Sequence, residues 1–143
     1  MLLLQQGLRF AARRMPKVIS PGAHAVLDYA FAAAFAAMGA RQWRDNRRVA
    51  VTCLGFAGAT ALNALLTDYP GGVFRLMSYR THGRFDAGIV AVTAAAPQVM
   101  GFGDQAESRF FSAQAIAGTV VAGMTDYNYY SDAEEEHPLK AVS

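Results

Sequence analysis

The chain has 143 residues, of which 53% are hydrophobic and 17% are charged, whereas soluble domains carry roughly 25% charged residues. Its formal net charge is only +2, and we expect no nucleic-acid partner. The single cysteine, Cys53, excludes an intrachain disulfide and a cluster of thiolate ligands. The length fits one domain, and the shortage of charge favours a membrane protein over a soluble helical bundle.

Residues 1–19 predict a basic amphipathic helix that lies in the headgroup region of a membrane. Apolar residues recur there at helical spacing while basic residues fall on another face: Leu4, Leu8, Ala11, Ala12 and Met15 against Arg9, Arg13 and Lys17. The segment lacks the long apolar run of a signal peptide, so we expect it to be retained. An unstructured basic leader is the alternative.

Four windows are almost free of charge: Tyr29 to Ala40, Val49 to Thr67, Ala87 to Gly103 and Phe110 to Thr125. With the polar residues at their ends they reach about 17 to 20 residues, close to the minimum for crossing about 30 Å of hydrocarbon. None shows the regular polar face of a soluble amphipathic helix. The windows therefore predict four transmembrane helices.

A set of polar residues occurs twice at one fixed offset: Ser20, His24, Asp28 and Thr67-Asp68-Tyr69, then Ser78, His82, Asp86 and Thr125-Asp126-Tyr127. A fixed internal period indicates a duplicated supersecondary unit. We interpret the chain as all-α, with two tandem helical hairpins at 20–72 and 78–130 related by a pseudo-two-fold axis along the membrane normal. An acidic tail follows at 131–143.

Capping and turn residues in the sequence predict several helix ends. Ser20 before Pro21 predicts an N-cap, and Gly39 with the charged stretch that follows predicts the first hairpin turn. Pro97 is expected within or near the end of the third helix, before a turn at Gly101.

An up-down-up-down order of helices brings both polar sets to one membrane face. A histidine at a helix N-terminus and an aspartate at a helix C-terminus each oppose the helix dipole, so they stabilise one another when adjacent. The sequence therefore predicts a His24–Asp68 pair in the first hairpin and a His82–Asp126 pair in the second.

A ligand site is the competing interpretation of this polar layer. Histidines and aspartates in membrane helices are functional candidates by default, and six of them could hold a divalent metal or shuttle protons: His24, Asp28, Asp68, His82, Asp86 and Asp126. A second form uses His24 and His82 as axial ligands of haem, or as single ligands of chlorophyll-type pigments. Structural pairing without a cofactor is the interpretation that the sequence favours.

The distribution of basic residues predicts orientation. The side with both termini carries Arg9, Arg13, Arg14, Lys17, Arg75, Arg80, Arg84 and Lys140, and the other carries Arg41, Arg44, Arg47, Arg48 and Arg109. The positive-inside rule then favours cytoplasmic termini in a bacterial inner membrane, and the inverted topology is the alternative because the first loop, Arg41 to Arg48, is also basic.

The duplicated S-P-x2-H-x3-D-Y start, the L-T-D-Y end and the later Ala96-Pro97-Gln98-Val99-Met100-Gly101-Phe102 resemble small bacterial membrane proteins of the SPW-repeat type. Ala96 stands in place of the serine of that motif and Gln98 in place of its tryptophan. The resemblance implies a four-helix integral membrane protein without an assigned activity.

A contact role is the function that we expect from these features together. The basic N-terminus, the acidic run within 132–136 and the small-residue helix faces suit a non-catalytic accessory subunit of a larger membrane complex, such as an energy-transducing one. Its partners are expected to be other integral membrane subunits and lipid. The alternative is a small membrane protein that binds a metal, haem or pigment through the His/Asp layer.

Overall fold

The computed structural model describes residues 15–131, so most of the predicted amphipathic segment and nearly all of the acidic tail lie outside the described residues. The described chain is all-helical and contains α1 (Pro21–Gln42), α2 (Arg47–Leu66), α3 (Tyr79–Val99) and α4 (Ser108–Met124). In these residues the prediction of an all-α fold is confirmed.

The helix ends form where their local chemistry places them. The Ser20 hydroxyl accepts a hydrogen bond from the backbone N–H of Ala23, and Ser78 does the same for Thr81, both at 3.2 Å. Each serine thus satisfies one of the unpaired N–H groups in the first turn of its helix. Pro97 lies within the last turn of α3, and Gly101 follows with φ 72°, a left-handed conformation that glycine adopts at little cost.

The helices pack as two hairpins, α1 against α2 and α3 against α4, with α2 also contacting α3. The two hairpin loops meet at one end, where the Asn46 amide donates to Gln105 Oε1 at 2.7 Å. An apolar core lies beside these loops and consists of Phe35, Val49, Cys53, Ala96, Phe102 and Phe111.

At the opposite end, two short extended segments run beside the C-termini of neighbouring helices. The N–H of Ile19, just before α1, donates to the carbonyl of Met124 at 3.1 Å. The N–H of Met77, just before α3, donates to the carbonyl of Leu66 at 2.9 Å. These contacts hold the N-terminus of α1 beside the end of α4, and that of α3 beside the end of α2.

Two helices, α1 and α2, are long and apolar enough to cross a membrane, with mean hydropathies of 1.3 and 1.8 over their most apolar windows. Only 33% of each window is buried inside the bundle. The first turns of α3 carry Arg80, Arg84 and Asp86, and α4 has 17 residues, about 26 Å of helix. Four membrane spans therefore stay a prediction.

Candidate metal centre

Four ionisable side chains meet in the polar half of the bundle: His24, Asp28, His82 and Asp86. Their potential ligand atoms all lie within 4.8 Å of one another. His24 Nε2 is 3.1 Å from His82 Nε2, and Asp86 Oδ2 lies 3.0 and 2.9 Å from these two nitrogens. Asp28 Oδ1 lies 3.3 Å from His24 Nε2, and Asp28 Oδ2 lies 3.3 Å from His82 Nε2. We call these four residues the His–Asp cluster.

The cluster forms because each histidine and aspartate pair is spaced four residues apart on one helix. His24 and Asp28 lie on one face of α1, and His82 and Asp86 on one face of α3. Both faces turn towards the interior, where the two histidines are 1% and 0% exposed. Buried ionisable groups are tolerated only when paired or ligated.

Two threonines fix the orientation of the imidazole rings. Thr67 Oγ1 lies 2.6 Å from the carbonyl oxygen of Asn63, to which it donates its only proton, and 2.8 Å from His82 Nδ1. Thr125 makes the same two contacts, with the carbonyl of Val121 at 2.7 Å and His24 Nδ1 at 2.9 Å. Each hydroxyl must therefore accept from the histidine, so Nδ1 carries the proton in both rings.

The tautomer decides what the cluster presents at its centre. With a proton on Nδ1, a neutral imidazole exposes a lone pair at Nε2, and both Nε2 atoms face each other and the two carboxylates. Four electron-pair donors therefore converge. Hydrogen bonding of the distal nitrogen is how metal-binding histidines are commonly held.

Two tyrosines hold the carboxylates from the outside. Tyr69 donates to Asp28 Oδ2 at 2.7 Å, and Tyr127 donates to Asp86 Oδ2 at 3.0 Å. Burial, and then the hydrogen bond to Asp28, raise the pKa of Tyr69 far above its ordinary value. Burial and the nearby Asp86 carboxylate raise the pKa of Tyr127 in the same direction. Both phenols therefore keep their protons and remain donors at physiological pH.

Asn63 is a member of the surroundings that the sequence did not single out. Its amide donates to Asp86 Oδ1 at 2.8 Å and lies 3.4 Å from the carbonyl oxygen of His82. The signal that the sequence offers is an amide within the apolar window Val49 to Thr67, where a polar side chain needs an internal partner once it is buried. Thr67 and Thr125 were recognised as repeated residues, but their role in orienting the histidines was not predicted.

The predicted His24–Asp68 and His82–Asp126 pairs are wrong. Asp68 is 61% exposed and lies 3.7 Å from the guanidinium of Arg75. Asp126 accepts from the backbone N–H of Asn128 at 3.0 Å. Of the six residues proposed as metal ligands, the structure brings four together and leaves these two outside the cluster.

The distances within the His–Asp cluster suit a single metal ion better than a haem. The nitrogen–nitrogen and nitrogen–oxygen separations of 2.9 to 3.3 Å, measured to a different Asp28 oxygen for each histidine, approach the edge of a tetrahedron, roughly 3.3 Å for metal–ligand bonds of about 2.0 Å. Axial imidazoles on one haem iron would need roughly 4 Å between their nitrogens, twice such a bond. The 3.1 Å between His24 Nε2 and His82 Nε2 leaves no room for a porphyrin between them.

No protein-family model, curated protein or solved structure matches the chain, so the resemblance to SPW-repeat proteins stays a prediction.

Proposed function

We propose that this protein binds one divalent first-row transition-metal ion in the His–Asp cluster, inside a membrane-embedded helical bundle. The observation that carries the proposal is the pair of threonine contacts, because they turn both Nε2 lone pairs towards two buried carboxylates. Two imidazoles and two carboxylates suit Zn²⁺, Mn²⁺, Fe²⁺ or Co²⁺.

Charge balance supports the same conclusion. Two carboxylates and two neutral imidazoles carry a charge of −2, and a dication in their midst makes the buried cluster neutral. Without a cation, two lone pairs 3.1 Å apart and two buried anions would repel one another. The competing arrangement places a proton on each Nε2, which gives two imidazolium–carboxylate pairs and also makes the cluster neutral.

Metal analysis distinguishes these two arrangements. The full chain, purified in detergent without chelators, should contain close to one equivalent of transition metal by inductively coupled plasma mass spectrometry. The chelator-treated protein should then bind one equivalent of Co²⁺ and develop visible absorption. His24→Ala and Asp86→Asn should each reduce Co²⁺ affinity by at least 100-fold.

Asp68→Asn and Asp126→Asn are the matched controls, because each removes one of the other repeated aspartates without touching the cluster. Their Co²⁺ affinity should stay within threefold of the native value. If the native chain takes up no Zn²⁺, Mn²⁺, Fe²⁺ or Co²⁺, the metal-binding proposal is wrong. The cluster is then a structural network of two imidazolium ions and two carboxylates.

The membrane setting extends to all four helices in our proposal. Large apolar side chains point outwards from α3 and α4 as well as from the first hairpin, including Phe85, Val92, Val99, Ile116 and Val120. We propose that the four helices form two duplicated hairpins whose histidines face the interior. We also propose that both termini lie in the cytoplasm of a bacterial cell. Reporter fusions at Ser143 and near Asp45 should give opposite signals, and equal signals would contradict four spans.

An accessory role in a larger membrane complex is the second candidate. Ala87, Ala91 and Ala95 are exposed at four-residue spacing on α3, a pattern that lets another membrane helix approach closely. Ala91→Phe should reduce the size of the complex in mild detergent while the Co²⁺ affinity stays native. An unchanged size, equal to that of the isolated chain, would contradict the accessory role.

A further inference from the structure

The His–Asp cluster has unequal surroundings, because a cavity of about 50 Å³ adjoins it. The walls are mainly apolar side chains of α1, α3 and α4, and the polar groups among them include Asp28, Asp86 and Gln114. A single buried water needs roughly 10 to 15 Å³ on this measure. The cavity therefore has space for a small ligand beside the cluster.

Comparison of equivalent positions in the two repeats, related by the offset between His24 and His82, explains why the cavity lies on this side. On α2, Phe56 stacks on Phe35 with ring centroids 5.2 Å apart, and Asn63 donates to Asp86. The equivalent positions on α4 are Gln114 and Val121, and both line the cavity. Hence α4 offers no aromatic ring at the first position and no amide at the second.

Gln114 supplies the observation that points to a ligand. Its Oε1 atom is buried and has no hydrogen-bond partner within residues 15–131. A buried acceptor without a donor costs about 1 to 3 kcal/mol, so the side chain is expected to face a donor in the cavity. Asp28 Oδ1 also has few polar neighbours among the described residues; the contact recorded there is His24 Nε2 at 3.3 Å.

We propose that this cavity is the open coordination position of the metal centre and holds an exchangeable water molecule. The water donates its hydrogens to Gln114 Oε1 and Asp28 Oδ1, which leaves an oxygen lone pair for the cation. The inference rests on the metal binding proposed above and deepens it: the centre accepts a small external ligand, whereas purely structural sites are closed.

The test uses the full chain in detergent, loaded with Mn²⁺, and measures the electron paramagnetic resonance linewidth in ¹⁷O-enriched water. Water bound to Mn²⁺ broadens the lines. The native chain should show this broadening. Val121→Phe, which fills the cavity, should bind the same amount of Mn²⁺ and lose the broadening. Gln114→Leu, which removes the acceptor at similar volume, should lose at least half of it.

Ser112→Ala is the control, because Ser112 is exposed on the same helix and does not line the cavity. It should keep the native linewidth change. A native chain that binds Mn²⁺ without broadening overturns the inference and leaves metal binding intact. Unchanged broadening in Gln114→Leu overturns it as well, even where Val121→Phe fails to fold. A native chain that binds none of Mn²⁺, Zn²⁺ or Co²⁺ overturns the metal function itself.

Discussion

The two hairpins contribute the same kinds of side chain to the His–Asp cluster, yet neither hairpin can build it alone. Each tyrosine donates to the aspartate of its own hairpin, at 2.7 Å for Tyr69 and 3.0 Å for Tyr127. Each threonine instead accepts from the histidine of the other hairpin, at 2.8 Å for Thr67 and 2.9 Å for Thr125. The tyrosine contacts are local, whereas the threonine contacts join the hairpins.

The hairpins differ in the residues around the cluster rather than in the cluster itself. Asp86 has an amide partner from Asn63, whereas the position at the same offset in the second hairpin is Val121. The repeated residues make contacts that must occur on both sides. The residues that are not repeated leave a cavity on one side of the cluster only, so asymmetry arises while all four charged side chains are kept.

The largest expected effect follows from removing a histidine. His24→Ala or His82→Ala in the metal-free protein should lower the free energy of unfolding by about 3 to 5 kcal/mol, because each removes one of the two imidazoles that offset the charge of the two carboxylates in the bundle interior. Unfolding in detergent, followed by circular dichroism, measures it. Gln98→Ala, on the exposed surface near the hairpin loops, should change little.

The double variant sharpens this result. Since both histidines share both aspartates, the combined loss should fall short of the sum of the single losses by about 1 kcal/mol or more. Simple additivity would contradict a cluster that acts as one unit.

A smaller effect is expected from the residue that distinguishes the two sides. Asn63→Leu should lower the free energy of unfolding by about 2 to 3 kcal/mol, since Asp86 Oδ1 loses the amide that donates to it at 2.8 Å. Val121→Leu, at the equivalent position, should cost less than about 1.5 kcal/mol. Equal costs in chemical unfolding would contradict the inequality of the two sides.

The tyrosine contacts should be weaker and should affect the hairpins equally. Tyr69→Phe and Tyr127→Phe each remove one donor to a carboxylate that keeps its histidine contacts, so each should cost about 1 to 2 kcal/mol. The same unfolding measurement applies. A cost for one variant more than twice that of the other would show that the hairpins hold their aspartates differently.

Much of the fold follows from local signals in the sequence. The Ser20 cap, Pro97 near the end of α3 and the turn at Gly101 are local chemistry, and all appear as predicted. The inward face shared by a histidine and the aspartate four residues later is also local. Membrane crossing by all four helices, cytoplasmic termini and an accessory role depend on surroundings outside the chain, and they stay predictions.

The predicted histidine–aspartate pairs are wrong because of the backbone conformation that follows α2 and α4. The prediction rests on helix dipoles alone and treats each aspartate as part of a helix C-terminus. Instead, Thr67 ends α2 in an extended conformation with ψ 141°, and side chains of an extended segment alternate in direction. Thr67 and Tyr69 are therefore buried, at 0% and 3% exposure, while Asp68 between them faces outwards.

The smallest expected effect concerns the two aspartates outside the cluster, Asp68 and Asp126. Asp68→Asn removes an exposed ion pair at 3.7 Å from Arg75, and exposed pairs of this kind contribute about 0 to 1 kcal/mol. Asp126→Asn keeps an amide oxygen that can still accept from the N–H of Asn128. Both variants should leave the free energy of unfolding within about 0.5 kcal/mol of the native value. A decrease of about 2 kcal/mol or more in the free energy of unfolding of either variant would support the predicted histidine–aspartate pairs instead of the observed contacts. Only an aspartate with a buried partner is expected to contribute that much.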